Sequence, residues 1–259
     1  MTSAETNVGR NAEPGSEIDP TYRKSFGSLR VDKSGWDSNW QNDPEQYRGS
    51  RMSKFMEVMG IKRSMILEVG CGDRLIDPKG TLKGNYVGGD LSLNSVRTAS
   101  KTHDASNFLN LEATRLPFRD GSFLTVVSIM TMHHYGPDAL AAIGEMMRVS
   151  SRFVMFTVEH EENIQKLLDM PRKTDSAYER VRVGGFEAVA QRDTKSGKLD
   201  MDGIRLFFNV ENMERHMKQV GFKKVRGLLR YDINDGEGTS FFPKNPDDKP
   251  SIIEVLAEK

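Results

Sequence analysis

The sequence predicts an α/β fold built on a mostly parallel sheet of seven strands with helices on both faces. Strand-like and helix-like stretches alternate along residues 65–158, which is the pattern of a parallel sheet covered by helices. The strands in this region are short continuous apolar runs, as expected of strands that are buried on both faces. Two more apolar runs, at 225–233 and 252–257, bring the predicted number of strands to seven.

Composition and charge limit the functions that the chain can have. It has 259 residues, and its 37 Lys plus Arg balance its 37 Asp plus Glu. A neutral chain creates no overall field that attracts nucleic acid or an anionic membrane surface, so neither partner is expected. No run of about 18 apolar residues occurs, and the polar N-terminus does not resemble a secretory signal. We therefore expect a cytoplasmic protein.

Cysteine and histidine usage argues against disulfide and metal chemistry. The only cysteine, Cys71, has no partner for an internal disulfide, and its place inside a glycine turn favours a small packing residue over a nucleophile. The five histidines show no spacing that would assemble metal ligands. No metal site is expected.

The first 64 residues precede the predicted sheet and divide into two segments. Residues 1–20 have almost no apolar side chains and are predicted to be a disordered N-terminal arm. Residues 21–64 are predicted to be a cap or lid that ends in a helix at 44–60, and whether this segment covers the sheet or closes over a ligand stays open. Its large aromatic side chains suggest packing over another surface: Tyr22, Phe26, Trp36, Trp40 and Tyr47.

A glycine turn and an acidic residue mark the candidate site. Gly70-Cys71-Gly72 follows the first apolar run, where a glycine turn lets the backbone approach a bound ligand. Asp90 ends the second apolar run, 20 positions after Gly70. This offset matches that of the acid that binds a ribose in nucleotide-binding βαβ units. The spacing predicts a site for a nucleoside-containing cofactor.

The remaining elements follow in order. Residues 73–85 contain Pro78, Gly80 and Gly84, which leave room for one helical turn at most where a full crossover helix would normally lie. Ser92 is the expected N-cap of a short helix. Further strands are predicted at 108–111, 124–130 and 153–158. Two helices are predicted to begin at Pro137 and at Asn209, and the second of them is predicted to end at Gly221. The loop 234–250 is predicted to be irregular.

Six stretches together identify a family. In chain order they are ILEVGCG, YVGGDLS, LEATRLPFRDGSFLTVVS, MHHY, EMMRVSS and NVENMERHMKQVGFKKV, which cover residues 65–158 and the C-terminal quarter. This set resembles the class I S-adenosylmethionine-dependent methyltransferases, especially the branch similar to quinone-biosynthesis methyltransferases. The resemblance implies a Rossmann-like sheet with an antiparallel C-terminal strand, a methyltransferase domain over residues 65–259, and S-adenosylmethionine as cofactor, with S-adenosylhomocysteine as its product.

The resemblance also implies roles for the residues that match the motifs of the family. The predicted cofactor-binding residues are Glu68 at the methionine ammonium; Gly70, Cys71 and Gly72 along the methionyl part; Asp90, with Leu91 beside it, at the ribose hydroxyls; Glu112 and Ala113 at the adenine; and Ser128 and Met130 at the methyl-transfer end.

Two positions depart from the pattern of the family. Arg74 replaces the third glycine of the motif, and together with the short crossover it removes the usual helix N-terminus that anchors the methionine carboxylate. Arg74 is a candidate for that contact, with a solvated arginine as the alternative. Glu112 stands where the family more often has Asp, which adds one methylene of reach.

The acceptor side is predicted from two regions. His133 and His134 follow the fourth strand, where catalytic residues of α/β sheets collect, and are candidates for a general base. An insertion at about 161–207 is expected to select the acceptor and to contain a β-hairpin that turns near Ser196-Gly197. Four arginines in it would suit an acidic acceptor, but nearby acids nearly cancel them, so a mixed-charge surface is favoured: Arg180, Arg182, Arg192 and Arg205 against Glu179, Glu187, Asp193 and Asp200.

The leading functional hypothesis is methyl transfer to a small-molecule acceptor, at a hydroxyl ahead of an amine or a carbon. One alternative is a tRNA-modifying methyltransferase, which the neutral charge argues against. Another is a catalytically silent cofactor-binding subunit of a complex. A nicotinamide dehydrogenase is the weakest, because Leu75 falls where the last motif glycine would lie. A homo-oligomer is left open.

Overall fold

The computed structural model describes residues 64–72, 84–102, 107–169, 176–183, 186–232, 239–240 and 250–259. The predicted N-terminal arm, nearly all of the cap or lid segment with its helix, and the short crossover with Arg74 lie outside the described residues. The predicted domain boundaries therefore stay predictions. Among the described helices, none is long and apolar enough to span a membrane.

The described strands form a main sheet and a smaller one. The main sheet has the order β10-β9-β11-β5-β4-β1-β2-β3, and the smaller one has the order β6-β7-β8. In chain order the strands are β1 Ile66–Val69, β2 Tyr86–Asp90, β3 Asn107–Asn110, β4 Phe123–Ser128, β5 Ser150–Glu159, β6 Ser176–Val183, β7 Phe186–Asp193, β8 Leu199–Phe207, β9 Lys224–Asp232, β10 Thr239–Ser240 and β11 Pro250–Glu258.

The main sheet confirms the predicted fold class. Strands β1 to β5 pair in parallel. Strand β11 runs antiparallel to both of its neighbours, β5 and β9, so the seven-stranded sheet has the predicted antiparallel C-terminal strand. The prediction for the loop 234–250 was wrong in part: its residues Thr239–Ser240 form an eighth, two-residue strand that pairs with the end of β9. A short edge strand of this kind gives almost no signal in the sequence.

Four α-helices are described: α1 Leu93–Thr102, α2 Ala139–Val149, α3 Asn163–Leu168 and α4 Val210–Gln219. The predicted N-cap Ser92 is present, because its Oγ accepts from Ser95 N at 3.2 Å. Asn209, where a helix was predicted to begin, caps α4 through its Oδ1, which accepts from Asn212 N at 2.8 Å. Gly221, with φ +105°, follows the end of α4 as predicted.

The helices cover both faces of the main sheet. Buried residues of α2 and α4, such as Ile143 and Met213, share one apolar core with Leu67 of β1 and Val154 of β5. The chain moves outward from β2 to β3 through α1 and in the opposite direction from β4 to β5 through α2. Because such crossovers are right-handed, α1 lies on the face opposite α2. The strand order reverses between β1 and β4, and in folds of this kind the ligand crevice lies at the carboxyl ends of the two strands at that point.

The smaller sheet lies within the predicted insertion. Strands β7 and β8 form the predicted hairpin, in which Asp193 N donates to Lys198 O at 2.9 Å across the turn at Ser196-Gly197. One of its faces joins the main core through Phe186 and Ile204, and the other packs on α3. Strand β6 was not predicted.

Candidate functional site

The glycine turn after β1 takes a conformation that only glycine adopts without strain. Gly70 and Gly72 have φ +75° and +61°. The Gly70 amide donates to Gly89 O at 2.7 Å, which ties the turn to the neighbouring strand β2. A Cβ on Gly70 would lie 2.2 Å from Thr131 Cγ2, so the turn also packs closely against the segment that follows β4. The turn therefore presents bare backbone to the crevice.

Asp90 is held at the carboxyl end of β2 by the backbone of two loops. Its Oδ2 accepts from Gly72 N at 2.8 Å, and its Oδ1 accepts from Ser92 N at 2.8 Å. Asn110 Nδ2 fixes the same backbone by donating to the carbonyls of Asp90 and Leu91 at 2.9 and 2.8 Å. This carboxylate, oriented by two backbone amides at the end of a strand, suits the two hydroxyls of a ribose.

Two predicted cofactor residues are buried beneath this surface. Glu68 is completely buried in β1, and the Tyr86 hydroxyl donates to its Oε2. Cys71 is also completely buried and lies against Gly88, which supports its interpretation as a small residue that fills the turn. Contact of Glu68 with a ligand ammonium stays a prediction.

The predicted adenine positions lie in a loop after β3. Glu112 is exposed and accepts from Thr114 Oγ1 at 2.7 Å, whereas Ala113 is buried. Asp138, half-buried at the start of α2, was not predicted as a site residue. Burial raises the pKa of Asp138, and the negative charge of Glu112 raises this pKa further, so the two carboxyls belong to one region.

Helix α2 holds this loop in place. Arg148 donates to Glu145 at 2.8 Å, to Phe118 O at 2.8 Å and to Leu116 O at 3.0 Å, and it pairs with Asp120 at 2.8 Å. Glu145 in turn accepts from Leu116 N at 2.8 Å. The Arg148 contact holds the pKa of Glu145 below its usual range, as expected of a charged hydrogen-bonded pair. The two matching stretches LPFRDGSF and EMMRVSS thus form one structural unit, which we call the loop clamp.

The end of β4 carries a strained residue. Ser128 is completely buried, and Met130, a non-glycine residue, has φ +55°. The Met130 amide donates to Thr157 Oγ1 at 2.6 Å on the neighbouring strand β5. Backbone strain of this kind collects at functional sites. The strain at Met130 marks the carboxyl ends of β4 and β5, where the methyl-transfer end of the cofactor is predicted to lie.

The histidine turn lies directly after this strained residue. His133 and His134 belong to a 3₁₀ turn, Met132–His134, and their ring centroids lie 3.8 Å apart with the rings tilted by 50°. His133 is largely buried. Tyr135, which the sequence did not single out, is half-buried and next in the chain. Burial raises the pKa of Tyr135, and nearby Asp90 raises it further, so the phenol stays protonated. The turn therefore forms a wall of the crevice.

The smaller sheet closes against the histidine turn. A Cβ on Gly136 would lie 2.8 Å from the Ile204 carbonyl, so β8 passes directly over this turn. The predicted mixed-charge surface is supported by two ion pairs, at 2.7 and 2.5 Å, which are Arg182 with Glu187 and Arg192 with Glu179. Arg205 instead faces Glu159 of β5 at 3.8 Å. Within the described part of the chain, no group of His, Cys, Asp and Glu is arranged to hold a metal ion.

Comparison with known families agrees with this geometry. Residues 67–152 match the family described as a methyltransferase domain. The matched segment covers about a third of the chain. It spans the glycine turn, Asp90, the loop clamp and the histidine turn. The fold is that of S-adenosylmethionine-dependent methyltransferases of known structure, and two of the similar structures contain bound S-adenosylhomocysteine or S-adenosylmethionine.

Solved structures show how widely this fold is used. The chain is similar to an S-adenosylmethionine-dependent methyltransferase, possible histamine N-methyltransferase, from Thermotoga maritima (14% identity, 93% of this chain and 95% of that one, TM-score 0.52). It is similar to magnesium protoporphyrin IX methyltransferase from Synechocystis PCC 6803 with bound S-adenosylhomocysteine (13% identity, 93% of this chain and 100% of that one, TM-score 0.51). It is also similar to 1,6-didemethyltoxoflavin-N1-methyltransferase from Burkholderia thailandensis (12% identity, 100% of this chain and 98% of that one, TM-score 0.54). No curated protein matches the sequence.

Proposed function

We propose that this protein transfers the methyl group of S-adenosylmethionine to a small-molecule acceptor, at a hydroxyl oxygen. The observation that carries the proposal is the Asp90 carboxylate, which two backbone amides orient at the mouth of the crevice beside the glycine turn. This arrangement holds a pair of ribose hydroxyls and leaves the adjoining crevice for the rest of the cofactor.

The residues around Asp90 would hold the other parts of the cofactor. Gly70 and Gly72 offer backbone to the methionyl part, and Glu68 lies below them for the ammonium. Glu112 and Ala113 would meet the adenine. When bound, the sulfonium supplies an already activated methyl group, so the protein mainly has to orient the acceptor and exclude water.

The acceptor side is proposed from the surroundings of the histidine turn. The smaller sheet packs over this turn at Gly136 and so bounds the region beside Met130, where the acceptor would lie. The neutral charge of the chain favours a small molecule over a nucleic acid. The motif resemblance to quinone-biosynthesis methyltransferases supports a hydroxyl acceptor, with His133 and His134 as candidate bases.

S-Adenosylhomocysteine binding tests the proposal. At a concentration about 100 times Kd, the ligand should add about 2.7 kcal/mol of stability and raise Tm by about 5 °C or more. Asp90→Ala should remove the shift, because the ribose loses its acceptor. The control is Asp169→Ala. Asp169 is an exposed carboxylate directly after α3 that accepts a hydrogen bond from Gln165, and its removal should leave the Tm shift unchanged. The absence of any shift with the unchanged protein would contradict the proposal.

A further inference from the structure

Glu159 is a largely buried carboxylate that none of the predicted roles uses. It is the last residue of β5, and its side chain is 20% exposed. Its nearest cation, Arg205 of β8, stands 3.8 Å from Oε1, which is long for an ion pair. Its Oε2 is buried and accepts no hydrogen bond from the described residues. Burying a carboxylate with so little compensation is costly, and such groups concentrate at functional sites.

The strand register brings Glu159 to the methyl-transfer end. Ser128 of β4 lies beside Phe156 of β5, so the residues that follow them on the two strands also run side by side. Thr157 confirms this, because its hydroxyl accepts from the Met130 amide at 2.6 Å. Glu159 therefore lies next to the strained segment that begins at Met130.

Glu159 also lies on the same face of the sheet as the predicted cofactor residues. Phe153 and Met155 of β5 pack with Ile66 of β1 in one apolar cluster. Side chains alternate along a strand, so Glu159 shares the face of Phe153 and Met155, and Glu68 shares the face of Ile66. Two strand spacings, about 10 Å, separate β5 from β1. An acceptor placed between them would have the cofactor on one side and Glu159 on the other.

We propose that Glu159, in place of His133 or His134, is the general base that accepts the proton of the acceptor hydroxyl. This inference rests on the proposed function. In the step, the hydroxyl oxygen forms a bond to the methyl carbon while the carbon–sulfur bond breaks. The electron pair of the broken bond stays on sulfur, which becomes the sulfur of a neutral thioether. The hydroxyl proton passes to Glu159 Oε2, and the products are the methyl ether, S-adenosylhomocysteine and a neutral carboxyl.

The environment of Glu159 suits this task. Burial raises the pKa of Glu159, and the charge of Arg205 lowers it in part, so the carboxylate is a stronger base than an exposed glutamate. A base works best when its pKa approaches the working pH. Arg205 also belongs to the smaller sheet that bounds the acceptor region, so it links the base to that sheet.

The test compares Glu159→Gln with a matched control, Glu258→Gln. Glu258 is 25% exposed and pairs with Arg152 at 3.2 Å, but it lies at the amino end of β5, at the opposite edge of the sheet. Purified full-length protein is incubated with [methyl-¹⁴C]S-adenosylmethionine and an ultrafiltrate of cells that naturally contain the protein. The radioactive label that appears in newly formed small molecules is measured. S-Adenosylhomocysteine affinity is measured by calorimetry on the same samples.

Glu159→Gln should lower the labelling rate about 10²-fold or more while changing S-adenosylhomocysteine affinity less than about threefold. Glu258→Gln should change neither quantity. Labelling by Glu159→Gln at the rate of the unchanged protein, or loss of both labelling and cofactor affinity, would overturn the base role. If the unchanged protein fails to bind S-adenosylhomocysteine, the proposed function itself fails. Binding without any labelling overturns the transfer activity and the base role with it.

Discussion

Gly70→Ala should weaken cofactor binding and destabilise the fold by about 2 to 4 kcal/mol. A non-glycine residue at φ +75° is strained, and the added methyl would lie 2.2 Å from Thr131 Cγ2. The glycine turn and the histidine turn cannot both keep their positions against that methyl. Chemical denaturation gives the loss of stability, and calorimetry with S-adenosylhomocysteine should show binding weakened at least about tenfold.

Gly197→Ala is the matched control for this substitution. Gly197 has φ +69°, but a Cβ there would meet nothing within 4 Å. Gly197→Ala should therefore lower the stability of the fold only by the backbone strain, about 1 kcal/mol, and leave S-adenosylhomocysteine binding unchanged. Equal effects of the two substitutions would mean that the close approach of the two turns has no part in the site.

Arg148→Ala should destabilise the protein by about 2 to 4 kcal/mol, because the loop clamp loses its central cation. Two backbone carbonyls, of Leu116 and Phe118, and the carboxylates of Glu145 and Asp120 would lose their donor. The denaturation midpoint should fall with an unchanged slope. Because the freed loop carries Glu112 and Ala113, S-adenosylhomocysteine should also bind about tenfold more weakly, which is about 1.4 kcal/mol.

Arg152→Ala separates the loop clamp from an ordinary surface ion pair. Arg152 is 58% exposed and pairs with Glu258 at 3.2 Å, so its loss should cost less than about 1 kcal/mol. It should leave cofactor affinity unchanged. A cost for Arg148→Ala as small as that for Arg152→Ala would show that the loop holds its position without α2.

The parts of the fold that depend on neighbouring residues were predictable from the sequence. Apolar runs marked the seven principal strands, since strands of a parallel sheet that is covered on both faces are rich in apolar side chains. Ser92 was predicted as an N-cap and Asn209 as the start of a helix, because a cap bonds an amide only two or three positions away. The glycine turn and Asp90 were placed together because parallel strands end at one edge.

Features that depend on distant partners were not predictable in the same way. Arg148 bonds a carbonyl 30 positions earlier, and Glu159 meets an arginine of another sheet. No spacing rule connects such residues, and only the folded sheet brings them together. Strand β6 was missed because its charged residues are balanced by partners on β7, as in the pair of Arg182 with Glu187, and leave no apolar alternation to find.

The central claim is that the crevice beside Asp90 binds S-adenosylmethionine, and a crystal structure of the protein with S-adenosylhomocysteine tests it most directly. The account predicts both ribose hydroxyls within hydrogen-bonding distance of the Asp90 carboxylate, the methionyl part along Gly70 and Gly72, and the sulfur facing the volume between Met130 and Glu159. A ligand bound elsewhere, or a ribose without contact to Asp90, would contradict it.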